Sequence, residues 1–386
     1  MTYKILTRDE HFQKPGGKRI LTLDGGGLRG IVTLGYLKRV EEILRARVGN
    51  NDNFRLAHYF DLIAGTSTGA IIAAGLARGM TVGEITDIYM KLGREVFYKS
   101  MWRHGVLRAR YSHKKLTSHL KAVLGEETTL GSEELQTGLL VVTKRMDTGS
   151  TWALGNNPKG AYYEAQPEDQ WGSNKNYPLW RVVRASTAAP SFFKPEQIRI
   201  SEAIGPEQVV GEFVDGGVSP FNNPTLQAFM YATLSGYRVN WQAGADRMLV
   251  VSIGTGRGDP SKEPTWISAK GAVQSLLSLM DDAGALVETM AQWLSTGETH
   301  RKIDRELGDL ASDNIGGAPQ FRYARFDLQL LREQVDKLKP GISIELLENL
   351  TVMDEPKNMS ILYELATLDA QNKVLDQLFP EAFDLT

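Results

Sequence analysis

Cysteine is absent from this chain of 386 residues. Disulfide staples and thiolate metal sites are therefore excluded, and a reducing compartment is compatible. Long apolar runs are missing as well. The longest uncharged apolar stretch, Leu62 to Ala77, has 16 residues and is interrupted by three glycines and a Ser/Thr cluster. A membrane-spanning helix needs about 20 apolar residues, so any membrane contact is expected to be peripheral. The opening segment, Met1 to Glu10, has no apolar core of the kind that marks a secretory signal, and a cytoplasmic location is expected. Neither sign of charge dominates: 44 Lys and Arg stand against 46 Asp and Glu, a formal net charge of −2. No general attraction to nucleic acid follows from that balance. Internal repeats and low-complexity linkers are absent too.

What is present is an alternation of short apolar runs and amphipathic stretches. Hydrophobic residues make up 42% of the chain, enough for a large core without metals or disulfides. Arg19 to Leu23, Asp61 to Ala64, Leu139 to Thr143 and Met248 to Ile253 read as short buried strands. Ile31, Leu34, Leu37, Val40 and Leu44 recur at helical spacing, with charged residues between them. Thr81 to Glu84 fits a capping box, and Val182 to Ala189 reads as a helix halted by Pro190. Strands alternating with helices imply a mostly parallel sheet covered on both faces, a three-layer α/β/α sandwich. After Pro260 the texture changes. Apolar residues from Val273 to Leu294 mark one amphipathic helix, and the remainder is mainly helical and more charged.

Three glycine-rich segments follow these runs. Gly65-Thr66-Ser67-Thr68-Gly69 matches G-x-S-x-G, in which a serine sits on a sharp strand-to-helix turn. The helix that follows points its positive N-terminus at that serine. Asp24-Gly25-Gly26-Gly27-Leu28-Arg29-Gly30 leaves the amides of Gly25, Gly26 and Gly27 free of side-chain cover. Such amides can donate to an oxyanion, and Arg29 adds positive charge. The same run also fits G-x-G-x-x-G, the dinucleotide fingerprint, which needs a second strand ending in an acidic residue about 20 residues on. Asp52 lies at a tolerable distance but follows the polar stretch Gly49 to Asn51 and ends no apolar run. A nucleotide-binding protein or oxidoreductase using Gly25 to Gly30 therefore stands as the alternative. The third segment is Val214-Asp215-Gly216-Gly217, where two glycines allow another backbone to approach the aspartate. Of six histidines, only His300 follows Asp215. It would complete the Ser–Asp–His order of the α/β-hydrolases, but its polar surroundings read as an exposed helix end.

D-G-G-G-x-R-G, then G-x-S-x-G some forty residues later, then a distant D-G-G: together these motifs resemble the signature of the patatin-like phospholipases. Ala185 to Phe193 resembles that family's Ala/Pro segment between serine and aspartate. The likeness covers roughly residues 19 to 256. It implies a serine lipid acyl hydrolase of the phospholipase A type, working through a Ser67–Asp215 dyad without metal or cofactor. Gly25, Gly26, Gly27 and Arg29 would form its oxyanion site, with Gly30, Gly65, Gly69, Gly216 and Gly217 as motif glycines. On this basis residues 1–18 are expected to be an N-terminal extension, 19–260 the catalytic domain and 261–386 a mainly helical cap or lid. Some bacterial members are of similar size and act as cyclic-nucleotide-activated effectors in defence against phage, so a cyclic nucleotide activator is a candidate partner. An oligomer is left open.

One charge feature stands apart. Residues 96 to 125 include no acidic residue but carry Lys99, Arg103, Arg108, Arg110, Lys114, Lys115 and Lys121, with Tyr98, Trp102 and Tyr111 interleaved. A solvated basic face, a surface for anionic lipid headgroups with Trp102 at the interface, and a seat for an anionic ligand all fit this pattern.

Overall fold

The computed structural model describes residues 3–96, 113–165, 171–190, 192–201, 208–258 and 268–385, with the backbone alone for 268–277. Among the described residues, nine strands form one sheet: β1 Lys18–Leu23, β2 Leu62–Thr66, β3 Gly138–Arg145, β4 Thr151–Gly155, β5 Glu196–Arg199, β6 Val210–Asp215, β7 Met248–Ile253, β8 Ser295–Thr296 and β9 Phe321–Phe326. Their order is β5-β6-β3-β2-β1-β7-β9-β8, with β4 also paired to β3. The five pairings from β3 through β2, β1, β7 and β9 to β8 are parallel. β4 and β6 run antiparallel to β3, and β5 antiparallel to β6.

The central strands are apolar on both faces because both faces are covered. Side chains alternate along a strand. Leu21 and Leu23 of β1, Ile63 of β2, Leu139 and Val141 of β3, and Leu249, Val251 and Ile253 of β7 enter one core. That core is shared with the helices Gly30–Arg47, Thr68–Ala77, Val82–Val96 and Met359–Lys373. The intervening residues Ile20, Leu62, Ala64, Leu140, Met248 and Val250 enter a second, smaller core beneath the helices Thr225–Thr233 and Ser268–Leu294. The expected three-layer architecture is the observed one. The Thr81 cap is present as well: Glu84 N–H donates to Thr81 Oγ1 at 3.2 Å, and Thr81 N–H to Glu84 Oε2 at 2.8 Å.

Both end regions of the chain are tied to the central sheet. Residues 3–18 are tied into the base of the sheet: His11 and Phe12 are buried, and Asp61 accepts from His11 Nδ1 at 2.7 Å and pairs with Lys14 at 2.8 Å. The C-terminal third holds the helices Ser268–Leu294, Arg332–Leu338, Ile344–Leu350 and Met359–Lys373, and it also contributes strands to the sheet. β9 pairs with β7 over five residues, Leu249–Ile253 against Arg322–Phe326. Its sequence, Phe-Arg-Tyr-Ala-Arg-Phe, does not read as a buried strand because two arginines interrupt it. Arg325 is buried nonetheless, since carboxylates surround it.

Candidate active site

The parallel strands β1, β2 and β7 all end at one edge of the sheet. The chain winds outward from β1 through β2 to β3, then resumes on the other side of β1 with β7. Crevices outside the carboxyl ends of strands, at such a switch in winding, are where open α/β sheets hold ligands.

Ser67 follows the last residue of β2 and precedes the first of the helix Thr68–Ala77. Its backbone is left-handed, φ 54° and ψ −124°. A non-glycine residue held in such a region costs about 1–3 kcal/mol and persists only where surrounding contacts enforce it. They do so here. A Cβ on Gly69 would lie 2.2 Å from Leu23 O, and one on Gly65 would lie 2.3 Å from Gly69 O. Strand and helix are thus pressed together too closely for any side chain at either position. Ser67 N–H donates to Ser186 Oγ at 2.8 Å, and that hydroxyl donates to Val142 O of β3 at 2.5 Å.

Asp215 arrives from the opposite direction. β4 and β6 both pair with Thr143 and Lys144, so they occupy opposite edges of β3, and β6 shares its edge with β2. β2 ends at Thr66, opposite Val142, and the next residue of β3, Thr143, faces Asp215. The two strands therefore abut end to end, and Gly216 fills the junction, where a Cβ would lie 2.3 Å from Val142 O. Ser67 Oγ donates to Asp215 Oδ2 at 2.5 Å, across 148 residues of sequence. Asp215 Oδ1 accepts from Gly217 N–H at 2.7 Å, and Asp215 N–H donates to Ala188 O at 3.1 Å. The segment 185–190 thus braces both residues, Ser67 through Ser186 and Asp215 through Ala188. The sequence does not single out Ser186, because an ordinary serine carries no local signal of such a role.

Burial pushes the Asp215 carboxyl up to about 6 from its ordinary 3.8, against the lowering effects of the Ser67 hydroxyl, the Gly217 amide and the Arg184 guanidinium. A carboxylate poised there is a better proton acceptor than a solvated one and is still ionised at neutral pH. Arg184 is buried in the helix Leu179–Ser186 and donates from Nη2 to Lys194 O at 2.8 Å. Removing its charge withdraws stabilisation from the ionised carboxyl. Arg184→Met should therefore move the acid limb of kcat/KM for a soluble ester to higher pH, and Arg184→Lys should largely restore it. An unmoved limb in Arg184→Met would separate Arg184 from the ionisation of Asp215.

The glycine loop lies against Ser67: a Cβ on Gly25 would lie 3.0 Å from Ser67 Cβ. Its amides are put to different uses. Gly25 N–H donates to Asn222 O at 3.1 Å and Gly26 N–H to Thr68 Oγ1 at 3.2 Å. Those two donors, expected to face an oxyanion, are thus engaged by Asn222 and by the first residue of the helix Thr68–Ala77. For the Gly27 amide there is no acceptor among the described residues. Arg29 is half-buried, its Nε has no hydrogen-bond partner among the described residues, and burial lowers its pKa while Asp281 and Asp327 oppose that.

Beneath this loop is a buried charge network. Asp24 takes both arms of Arg325, Oδ1 from Nη1 at 2.9 Å and Oδ2 from Nη2 at 2.6 Å. Arg325 also donates to Ser252 Oγ at 2.8 Å and reaches Asp327 at 3.3 Å. Asp327 pairs with Arg257 at 2.9 Å and accepts from Gly256 N–H at 2.8 Å. None of this is legible in the sequence, because the partners come from β9 and the loops after β1 and β7.

His300 is not brought to Asp215. Both carboxylate oxygens are occupied by Ser67 and Gly217, and the His300 ring meets Ser295 Oγ at 3.1 Å and packs on Tyr323. Asp52 lies in an exposed turn, and β2 ends without the acidic residue that a dinucleotide site needs. Lys99, Trp102, Arg103, Arg108 and Arg110 lie outside the described residues. Lys114, Lys115 and Lys121 sit on the helix His113–Leu124.

The profile described as Patatin-like phospholipase matches residues 21–229. The cGAMP-activated phospholipase of Vibrio cholerae serotype O1 is 30% identical over 218 residues, 54% of this chain and 56% of that one. The cGAMP-activated phospholipase of Escherichia coli strain TW11681 is 25% identical over 256 residues, 65% of this chain and 66% of that one. The matched region thus spans between half and two thirds of these relatives. Among solved structures, human GIVD cytosolic phospholipase A2 is similar at a TM-score of 0.45 and 10% identity, over 96% of this chain and 61% of that one. That likeness is distant.

Proposed function

The chain belongs to the patatin-like phospholipase family, and from that premise we propose that it cleaves acyl esters of membrane phospholipids through a Ser67–Asp215 dyad. The observation that carries this is the 2.5 Å hydrogen bond from Ser67 Oγ to Asp215 Oδ2 on a strained strand-to-helix turn. In the proposed reaction Ser67 Oγ attacks the ester carbonyl and its proton passes to Asp215 Oδ2. The tetrahedral intermediate collapses to an acyl-serine, and the departing alcohol takes the proton from Asp215. Water then attacks the acyl-serine with Asp215 again accepting the proton, which releases the fatty acid and restores Ser67.

A carboxylate is a modest base, so stabilisation of the oxyanion has to supply much of the rate. The donors proposed for it are the Gly27 amide, the Thr68 amide that follows the nucleophile, and the charge of Arg29. Arg29→Gln should lower kcat on the order of 10²-fold with little change in KM, since such donors act mainly in the transition state. An effect confined to KM would make Arg29 a substrate-binding residue instead. Gly27→Ala is a poorer probe. Gly27 has φ 59°, and a Cβ there would lie 2.5 Å from Met353 O, so the loop itself would shift.

Among the described residues, no helix is long and apolar enough to cross a membrane. Access to the lipid is proposed to be peripheral, with the basic segment from Lys99 to Arg110 at anionic headgroups. The two bacterial relatives are cGAMP-activated, and nucleotide activation is proposed for this chain too. The direct test is mass spectrometry of the products formed from mixed phospholipids, with and without cGAMP. Wild type should release fatty acid and lysophospholipid and Ser67→Ala should release neither; release by both would sink the assignment of Ser67.

A further inference from the structure

Beside β4 lies a cavity of about 410 Å³ that the reaction above does not use. That volume is within the range of small-molecule sites, about 300–1,000 Å³. Five aromatic side chains line it: Trp152, Tyr162, Trp171, Tyr177 and Tyr237, against two large aliphatic ones, Leu154 and Ile200. Tyr162 is 65% exposed and Trp171 37% exposed, so ring surface is open to an occupant. An acyl chain would be met by a mainly aliphatic wall. Walls of aromatic rings suit flat heteroaromatic groups, because every nucleobase offers a π-face.

One charged residue, Arg145, belongs to the lining, and the Asn174 amide and Thr151 hydroxyl add polar partners. Asp147 engages Nε of Arg145 at 2.8 Å and Nη2 at 2.6 Å, which leaves Nη1 outside the pair. The guanidinium is held over the Trp152 ring, 5.3 Å from its centroid. A cation fixed at the rim of an aromatic pocket is the arrangement that takes a phosphate attached to a base.

The cavity is also wired to the proposed catalytic base. Trp152 meets Phe213 edge to face, with ring centroids 5.2 Å apart at 75°. Phe213 lies two residues before Asp215 on β6 and is the register partner of Arg145 on β3. An occupant that orders Trp152 and Arg145 therefore stiffens the strand whose end presents Asp215 to Ser67.

We propose that this cavity binds a nucleotide, with base against the aromatic walls and phosphate at Arg145, and that it is the seat of the nucleotide activation on whose reading this proposal rests. The test is titration of the full chain with cGAMP, and separately with AMP and GMP, followed by calorimetry and by lipid hydrolysis. Trp171→Ala and Tyr162→Ala are compared with wild type, with thermal melts to show that each is folded. Both positions are exposed, so if one variant fails to fold the other carries the test. Each should bind cGAMP about tenfold or more weakly, the effect of losing one stacking partner, and should need correspondingly more cGAMP for activation. Ser67→Ala should bind cGAMP as wild type does. Equal binding and activation in both cavity variants and wild type would overturn the cavity while leaving nucleotide activation intact. No binding and no change in hydrolysis with any of the three nucleotides would overturn both.

Discussion

Ser67→Ala and Asp215→Asn should each lower phospholipid hydrolysis on the order of 10⁴-fold or more, and the double variant should be little worse than either alone. Residues that act as one unit are grossly non-additive, because removing either partner already removes the activated nucleophile. The geometry makes that unit small. Asp215 gives one oxygen to Ser67 and the other to the Gly217 amide, and no histidine stands between. His300→Ala should accordingly be close to neutral for turnover. If Asp215→Asn retained most of its activity, another base would have to be found for Ser67.

The same substitution should act on stability in the opposite sense. The carboxyl is raised from 3.8 to about 6 on folding, a difference of about 3 kcal/mol. Below about pH 4 both folded and unfolded forms carry the proton and no penalty exists. As pH rises from about 4 to about 6, the unfolded chain releases its proton more readily, and folded stability falls until both forms are ionised. Above that range wild type keeps a buried carboxylate that Asp215→Asn lacks. Asp215→Asn should therefore melt higher than wild type at pH 7 and lose that advantage at pH 4. Chemical denaturation at the two pH values measures it, and a variant less stable than wild type at pH 7 would contradict the sign.

Arg325→Met should destabilise the fold more than any change at Ser67, Asp215, Arg29 or Arg184. Asp24 is buried at the end of β1, and burial raises its pKa while Arg325 opposes that. Without the guanidinium, buried Asp24 would lose its ion-pair partner, while Asp327 would keep only Arg257. Breaking one side of a buried ion pair costs about 3–5 kcal/mol, because the remaining charge is uncompensated. The glycine loop starts at Asp24, so turnover should fall as well. Asp24→Asn combined with Arg325→Met should recover part of the stability, since one unpaired charge is then gone. Urea unfolding of the two singles and the double closes a thermodynamic cycle. Strictly additive losses would mean that the pair does not act as a pair.

How much of this was legible in the sequence depended on how local each feature is. The four central strands were visible as short apolar runs because each is buried on both faces, and a doubly buried strand needs no polar residue. The strand–turn–helix around Ser67 was visible because its requirements lie within five residues: glycines at 65 and 69, where backbone meets backbone, and an apolar helix immediately after. The identity of Asp215 was legible through the motif, but its role is a matter of register. It reaches Ser67 only because β6 runs into the end of β2 along a shared edge of β3. No periodicity in the chain encodes which strand abuts which. The use of the Gly25 and Gly26 amides was likewise decided by residues distant in sequence, Asn222 for Gly25 and Thr68, 42 residues on, for Gly26. The strand β9 was hidden for an electrostatic reason. Its arginines read as solvent-facing in isolation, and Arg325 becomes a core residue only because Asp24, brought in from the end of β1, joins its near neighbour Asp327 in neutralising it and offsetting the penalty of its burial. Local sequence thus determined the turn that strains Ser67 and the strands that support it. Only the tertiary structure decided what that serine, the glycine loop and the buried charges would face, because those partners are set by strand register and by charge compensation, as between Asp24 and Arg325, 301 residues apart.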